Sequence, residues 1–179
     1  MRRLLYAVTV LCSMVILTGC GIGKSEKEAV QNAGDTAKEL FQEDHTMDTN
    51  HELDTFAIYV PRGLDVSKEE ESNVILKDGN QTYIVFYNEL EGPKSKLSYH
   101  TAAAKKDEAL LLKAFKDKNK FGYIRIMPPN ENDRYELQIG VGGVKITTNT
   151  PKRKLDSDAD AMMKMARSIA LENSETTQK

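Results

Sequence analysis

Tryptophan is absent from this 179-residue chain, and cysteine occurs only twice, at positions 12 and 20. Cys12 lies inside an apolar run, so no disulfide framework is available to the rest of the chain. The fold must be held by core packing alone, which a domain of roughly 120 residues can supply. Neither charge sign dominates: 25 Lys and Arg stand against 27 Asp and Glu, a formal net charge of −2. A mildly acidic chain of mixed sign lacks the basic face that phosphate neutralisation needs, and is a poor nucleic-acid binder. The longest apolar run, Leu4 to Leu17, would make about 21 Å of helix, short of the roughly 30 Å of a bilayer's hydrocarbon core. What remains is ordinary: 40% apolar and 29% charged residues, the balance of a globular protein of one domain with appendages.

The N-terminus has a definite pattern. Met1-Arg2-Arg3 is cationic, the apolar run follows, and Leu17-Thr18-Gly19-Cys20 ends it. This resembles the signal peptide and lipobox of bacterial lipoproteins. A small residue must precede the cysteine so that the signal peptidase can approach the backbone. The residue must be cysteine because its thiol forms a thioether to diacylglycerol. The resemblance implies loss of residues 1–19, lipidation of Cys20 through its sulfur and exposed amine, and attachment to the outer, extracytoplasmic face of the cell membrane. Two acyl chains anchor stably where one is marginal. Loss of Arg2 and Arg3 leaves 23 cationic residues against 27 acidic ones, a net charge of −4. With its Lys-, Glu- and Asn-rich composition, the chain resembles the small secreted lipoproteins of spore-forming Gram-positive bacteria.

After Cys20, Ser25 and Glu28 read as a capping box. Val30, Ala33, Ala37, Leu40 and Phe41 recur at helical spacing to about Gln42, with Gly34 weakening the middle. The modest stripe suggests a tether helix that packs lightly or is partly frayed. A polar linker, 44–54, leads to a strand at Thr55–Val60. Asn73–Lys77 and Gln81–Tyr87 pair through an Asp78-Gly79 turn signal. The second of these is apolar on both faces, as a central strand covered on both sides would be. Residues 102–118 fit a helix, with a strand at Leu110–Phe115 as the alternative. Strands at Phe121–Met127, Arg134–Val141 and Val144–Thr148 follow, and a helix capped by Asp156 or Ser157 carries Met162, Met163, Ala166 and Ile169 inward.

The expectation is an α+β domain, an antiparallel sheet covered by a C-terminal amphipathic helix, spanning 55–172 after a lipidated segment at 20–54 and before a polar tail at 173–179. The run Phe56-Ala57-Ile58-Tyr59-Val60-Pro61-Arg62-Gly63 and the closing helix resemble PsbP/Mog1-like domains. That resemblance implies binding or scaffolding and assigns no site residue.

Candidate sites are few. The glycines of Ile139-Gly140-Val141-Gly142-Gly143-Val144 could form an anion-binding nest, but a strand follows where a phosphate loop needs a helix. A tight turn or bulge is the better reading. His45, Asp48, His51 and Glu52 could bind a metal, yet their spacing matches no regular ligand motif, and a solvated linker accounts for them. Asp156, Asp158 and Asp160 imitate a calcium loop, but Ala161 and Arg167 stand where glycine and glutamate belong. They suit a helix N-terminus instead. His100, beside Ser98 and Tyr99, lacks a nucleophile-elbow context. Met162 and Met163 fit the core stripe and Met165 lies off it. The reading is a non-enzymatic binding or scaffold module without cofactor, engaging an envelope protein or polymer and no nucleic acid. A small-ligand or metal carrier using 44–54, and a hydrolase using His100, are the alternatives.

Overall fold

A computed structural model describes residues 24–176, with side chains through residue 171. The leader expected at 1–19 and the lipidation site Cys20 lie outside the described residues. Helix α1 spans Glu26–Gln42. Strands β1 (His51–Glu52) and β2 (Ala57–Ile58) form a small hairpin. Strands β3 (Asp65–Glu70), β4 (Asn73–Asp78) and β5 (Gln81–Tyr87) precede helix α2 (Leu97–Ala103). Then come β6 (Leu111–Lys116), β7 (Phe121–Pro129), β8 (Arg134–Val141), β9 (Val144–Pro151) and helix α3 (Leu155–Thr176). The seven strands β3 to β9 form one antiparallel sheet in the order β3-β4-β5-β9-β8-β7-β6. The expected α+β architecture stands: α3 lies on β8 and β9, and α1 packs beside it over β6 and β7.

Alternation sets the two faces of the sheet. Val74, Leu76, Val85, Ile124, Ile126, Leu137, Ile139 and Ile146 point at the helices and are buried. Met162, Met163 and Met165 of α3 are all fully buried against them, so Met165 belongs to the core as well. Asp158 joins helix to sheet. Its carboxylate accepts from Gln81 at 2.7 Å, from the Tyr83 hydroxyl at 2.9 Å, and from Thr150. A buried carboxylate is tolerated because three donors replace its water.

Several expectations need correction. The N-terminal helix is no loose tether. Ser25 caps it, accepting from the Glu28 N–H at 3.2 Å, and Ala29, Ala33, Ala37, Leu40 and Phe41 are buried against α3 and the sheet. Gly34 is the reason for its close approach: a Cβ there would stand 2.7 Å from Leu111. Residues 102–118 are not one helix. The strand alternative holds as β6, with Phe115 opposite Gly122 and Leu111 opposite Ile126. Ala, Leu and Lys favour helix intrinsically, and pairing with β7 overrides that preference. The polar strand β3 was not foreseen. Its charges suit an edge position, where they discourage pairing with another chain. Strand β5 is interior but covered on one face only, since Ile84 is 48% exposed. Finally, a 3-10 turn at Lys152–Lys154 leads straight into α3 at Leu155, so neither Asp156 nor Ser157 is its cap.

Candidate functional site

At one end of the sheet, three connections meet: the loop after β5, the β6–β7 turn and the β8–β9 turn. The β8–β9 turn consists of Gly142 and Gly143, between the paired Val141 and Val144. Gly142 has φ +54°, and a Cβ on it would lie 2.5 Å from the Pro93 Cα. Only glycine allows the 88–93 loop to lie across this turn. The loop is pinned there: Asn88 N–H donates to the Gly143 carbonyl at 3.0 Å, and Phe121 N–H donates to the Pro93 carbonyl at 2.9 Å. The Gly142 N–H donates to the Phe121 carbonyl at 2.9 Å, so it is not free to bind an anion. The glycine run serves close packing, the role expected for a tight turn.

The pinned loop carries Lys94 and Lys96 beside the β6–β7 turn, which carries Lys116, Lys118 and Lys120. With Asp117 and Phe121 they line an open cleft of about 690 Å³. Asp117 builds the turn. Its carboxylate accepts from the N–H groups of Asn119 and Lys120 at 2.7 and 2.8 Å, and meets the Lys120 ammonium at 2.6 Å. Partial burial pushes this carboxyl up, but the Lys120 ammonium and the two N–H donors outweigh it and hold Asp117 below the usual carboxylate range. Lys120 also rests 5.0 Å from the centre of the Phe41 ring, and Lys96 stands 5.3 Å from that of Phe121. With Lys120 paired to Asp117, four further ammonium groups line the cleft with no second carboxylate in its lining. Lys94, Lys96, Lys116 and Lys118 are exposed. Such a cleft attracts anions, and its low-dielectric aromatic wall strengthens the attraction.

The absence of a basic face inferred from net charge is thus corrected: a small mean charge conceals a local cluster. The signal present in the sequence is only the local density of lysine, two at 94 and 96 and three at 116, 118 and 120, on segments that fold as a loop and a tight turn. Nothing local says that two segments twenty residues apart share one cleft.

The other candidates disperse. His51 pairs with Glu69 at 3.3 Å, while the His45 carbonyl accepts from Arg167 at 2.9 Å. Among the described residues, no group of three or more His, Cys, Asp or Glu is placed to hold a metal ion. The three aspartates at the start of α3 point to different partners: Asp156 to Thr36, Asp158 to the sheet and Asp160 to Lys164. They cannot converge on one cation. His100 is exposed on α2, its ring 5.8 Å from that of Tyr99. Among the described residues, no hydroxyl or carboxylate hydrogen-bonds that ring. No helix of the described residues is long and apolar enough to cross a membrane. Compared with known proteins, the chain matches no family model, no curated protein and no solved structure.

Proposed function

We propose that this chain is a lipid-anchored, extracytoplasmic and non-enzymatic binding module whose binding surface is the lysine-lined cleft. The observation that carries the reading is the gathering of five lysines around one internally neutralised carboxylate. Anions bearing several charges, such as phosphodiester or polyphosphate groups, suit it best, because separate ammonium groups along an open cleft contact successive charges. The lipobox-like Leu17-Thr18-Gly19-Cys20 supports the anchor, and an anchor outside the cytoplasm removes nucleic acid from the expected partners.

Two measurements test the two halves. Cys20→Ser should release the protein from membranes or leave it as uncleaved precursor; normal membrane fractionation of processed protein would refute the anchor. For the cleft, every core residue among the described residues lies between Ala29 and Ala170, so a chain beginning at residue 20 with Cys20→Ser keeps all of them. Titrated with inorganic polyphosphate, it should bind saturably and more weakly as salt rises. Joint replacement of Lys94, Lys96 and Lys118 by Gln should abolish that binding. Affinity unchanged by these substitutions, or binding to neither polyphosphate nor any anionic surface, would sink the reading.

A further inference from the structure

We infer that the anions this cleft meets are lipid headgroups, so that the cleft and the adjoining loop dock on an anionic bilayer surface. The inference rests on reading the cleft as an anion site, and is independent of the anchor at Cys20. What selects a bilayer over a soluble polyanion is a pair of exposed apolar side chains that flank Lys94 and Lys96 along the chain. Leu90 and Leu97 are the most exposed large apolar side chains among the described residues, at 89% and 62%. Leu90 lies on the loop that supplies Lys94 and Lys96, and Leu97, next to Lys96, is the first residue of α2. A hydrated polyanion would use the ammonium groups and leave the leucines in water. At a membrane interface both are satisfied: leucines enter the acyl boundary, lysines reach headgroup phosphates, and lysine stems lie along the apolar layer.

The loop is also built to hold this arrangement. Glu91 accepts from the Asn88 side chain at 2.8 Å and from the Ser95 hydroxyl, and Leu90 N–H donates to the Asn88 side chain at 3.2 Å. These bonds, with the backbone pins to Gly143 and Phe121, fix the loop before any contact, which lowers the ordering cost of docking. They also engage Glu91. Glu89, beside Leu90, is the remaining exposed carboxylate of the loop, set against the five lysines.

Helix α1 starts at the end of the sheet away from the cleft, where Glu26 accepts from Tyr135, and its last turn reaches Phe41 under Lys120. Its 17 residues span about 25 Å.

The test uses the unlipidated chain beginning at residue 20 with Cys20→Ser. It is sedimented with vesicles of phosphatidylglycerol and phosphatidylcholine, and with phosphatidylcholine alone. Binding should require phosphatidylglycerol and fall as salt rises. Joint Lys94→Gln, Lys96→Gln and Lys118→Gln should weaken it by on the order of a hundredfold, about fivefold per charge. Joint Leu90→Ser and Leu97→Ser should weaken it by on the order of a hundredfold while leaving polyphosphate affinity unchanged. All five side chains are exposed, so thermal unfolding midpoints should stay put and certify the fold. If polyphosphate binds but vesicles do not, or if vesicle binding ignores the leucines, the lipid inference is overturned and the anion cleft survives. If neither probe binds, both fall.

Discussion

Replacing Arg167 with Met should loosen the end of α1 more than any other part of the chain. Arg167 is 1% exposed. Its guanidinium donates to the carbonyls of Leu40 at 2.5 Å, Glu43 at 2.6 Å and His45 at 2.9 Å. It thereby closes the C-terminus of α1, adding to the one bond that the Glu43 N–H gives the Leu40 carbonyl at 3.3 Å, and it sits where the helix dipole favours a cation. Met preserves most of the stem but supplies no donor. The Leu40 carbonyl keeps the Glu43 N–H at 3.3 Å but loses a charged donor, at about 1.5–3 kcal/mol, and the two part-buried carbonyls lose about 0.5–1.5 kcal/mol each because water reaches them. Removing a desolvated cation offsets part of this. The net loss should be roughly 3 kcal/mol, lowering the urea midpoint by about 1–1.5 M for an m-value of about 2–3 kcal/mol/M. Amide exchange at residues 40–46 should accelerate beyond the global change. Arg167→Lys, with one ammonium for three carbonyls, should recover less than half. A midpoint shift below about 0.3 M, with those amides still protected, would refute the claim that this side chain closes the helix.

Two further perturbations follow from packing and titration. Gly140→Ala would place a Cβ 2.3 Å from the Tyr123 ring, which is wedged under Tyr99 and hydrogen-bonded to Gln138 at 3.1 Å; the overpacking should cost about 1–3 kcal/mol by chemical denaturation, and a cost near zero would mean the ring has room to move. Burial, and then the Glu26 carboxylate that accepts its proton at 2.8 Å, push the Tyr135 phenol up to about 12, and burial with Asp158 raises Tyr83 in the same direction. The folded state then holds these protons more tightly than the unfolded one, so stability should be full below about pH 10 and fall as pH rises through 10 towards 12. A urea midpoint that stays flat over that interval would contradict it.

Much of the fold was legible because it follows short-range periodicity. The Ser25 cap, the alternation of Tyr135, Leu137 and Ile139, the glycine turns and the apolar stripe of α3 are all local patterns, and each appears where it was expected. The failures share a cause. At Leu111–Lys116 a short apolar run with helical propensity fits helix or strand, and only the neighbouring β7 decides between them. Strand β3 has no apolar signature because it is an edge with one partner. The Arg167 contacts are invisible from its position on α3, since its three acceptors lie more than 120 residues away.

The same division holds for function. By itself the sequence determines the α+β class, the glycine turns and the apolar stripe of α3, because these depend on residues near one another in the chain. Tertiary structure alone decided that Lys94 and Lys96 line one cleft with Lys116, Lys118 and Lys120. Charges sum along a chain without regard to position, but a field depends on distance. Only folding sets the distances that turn scattered lysines into one site.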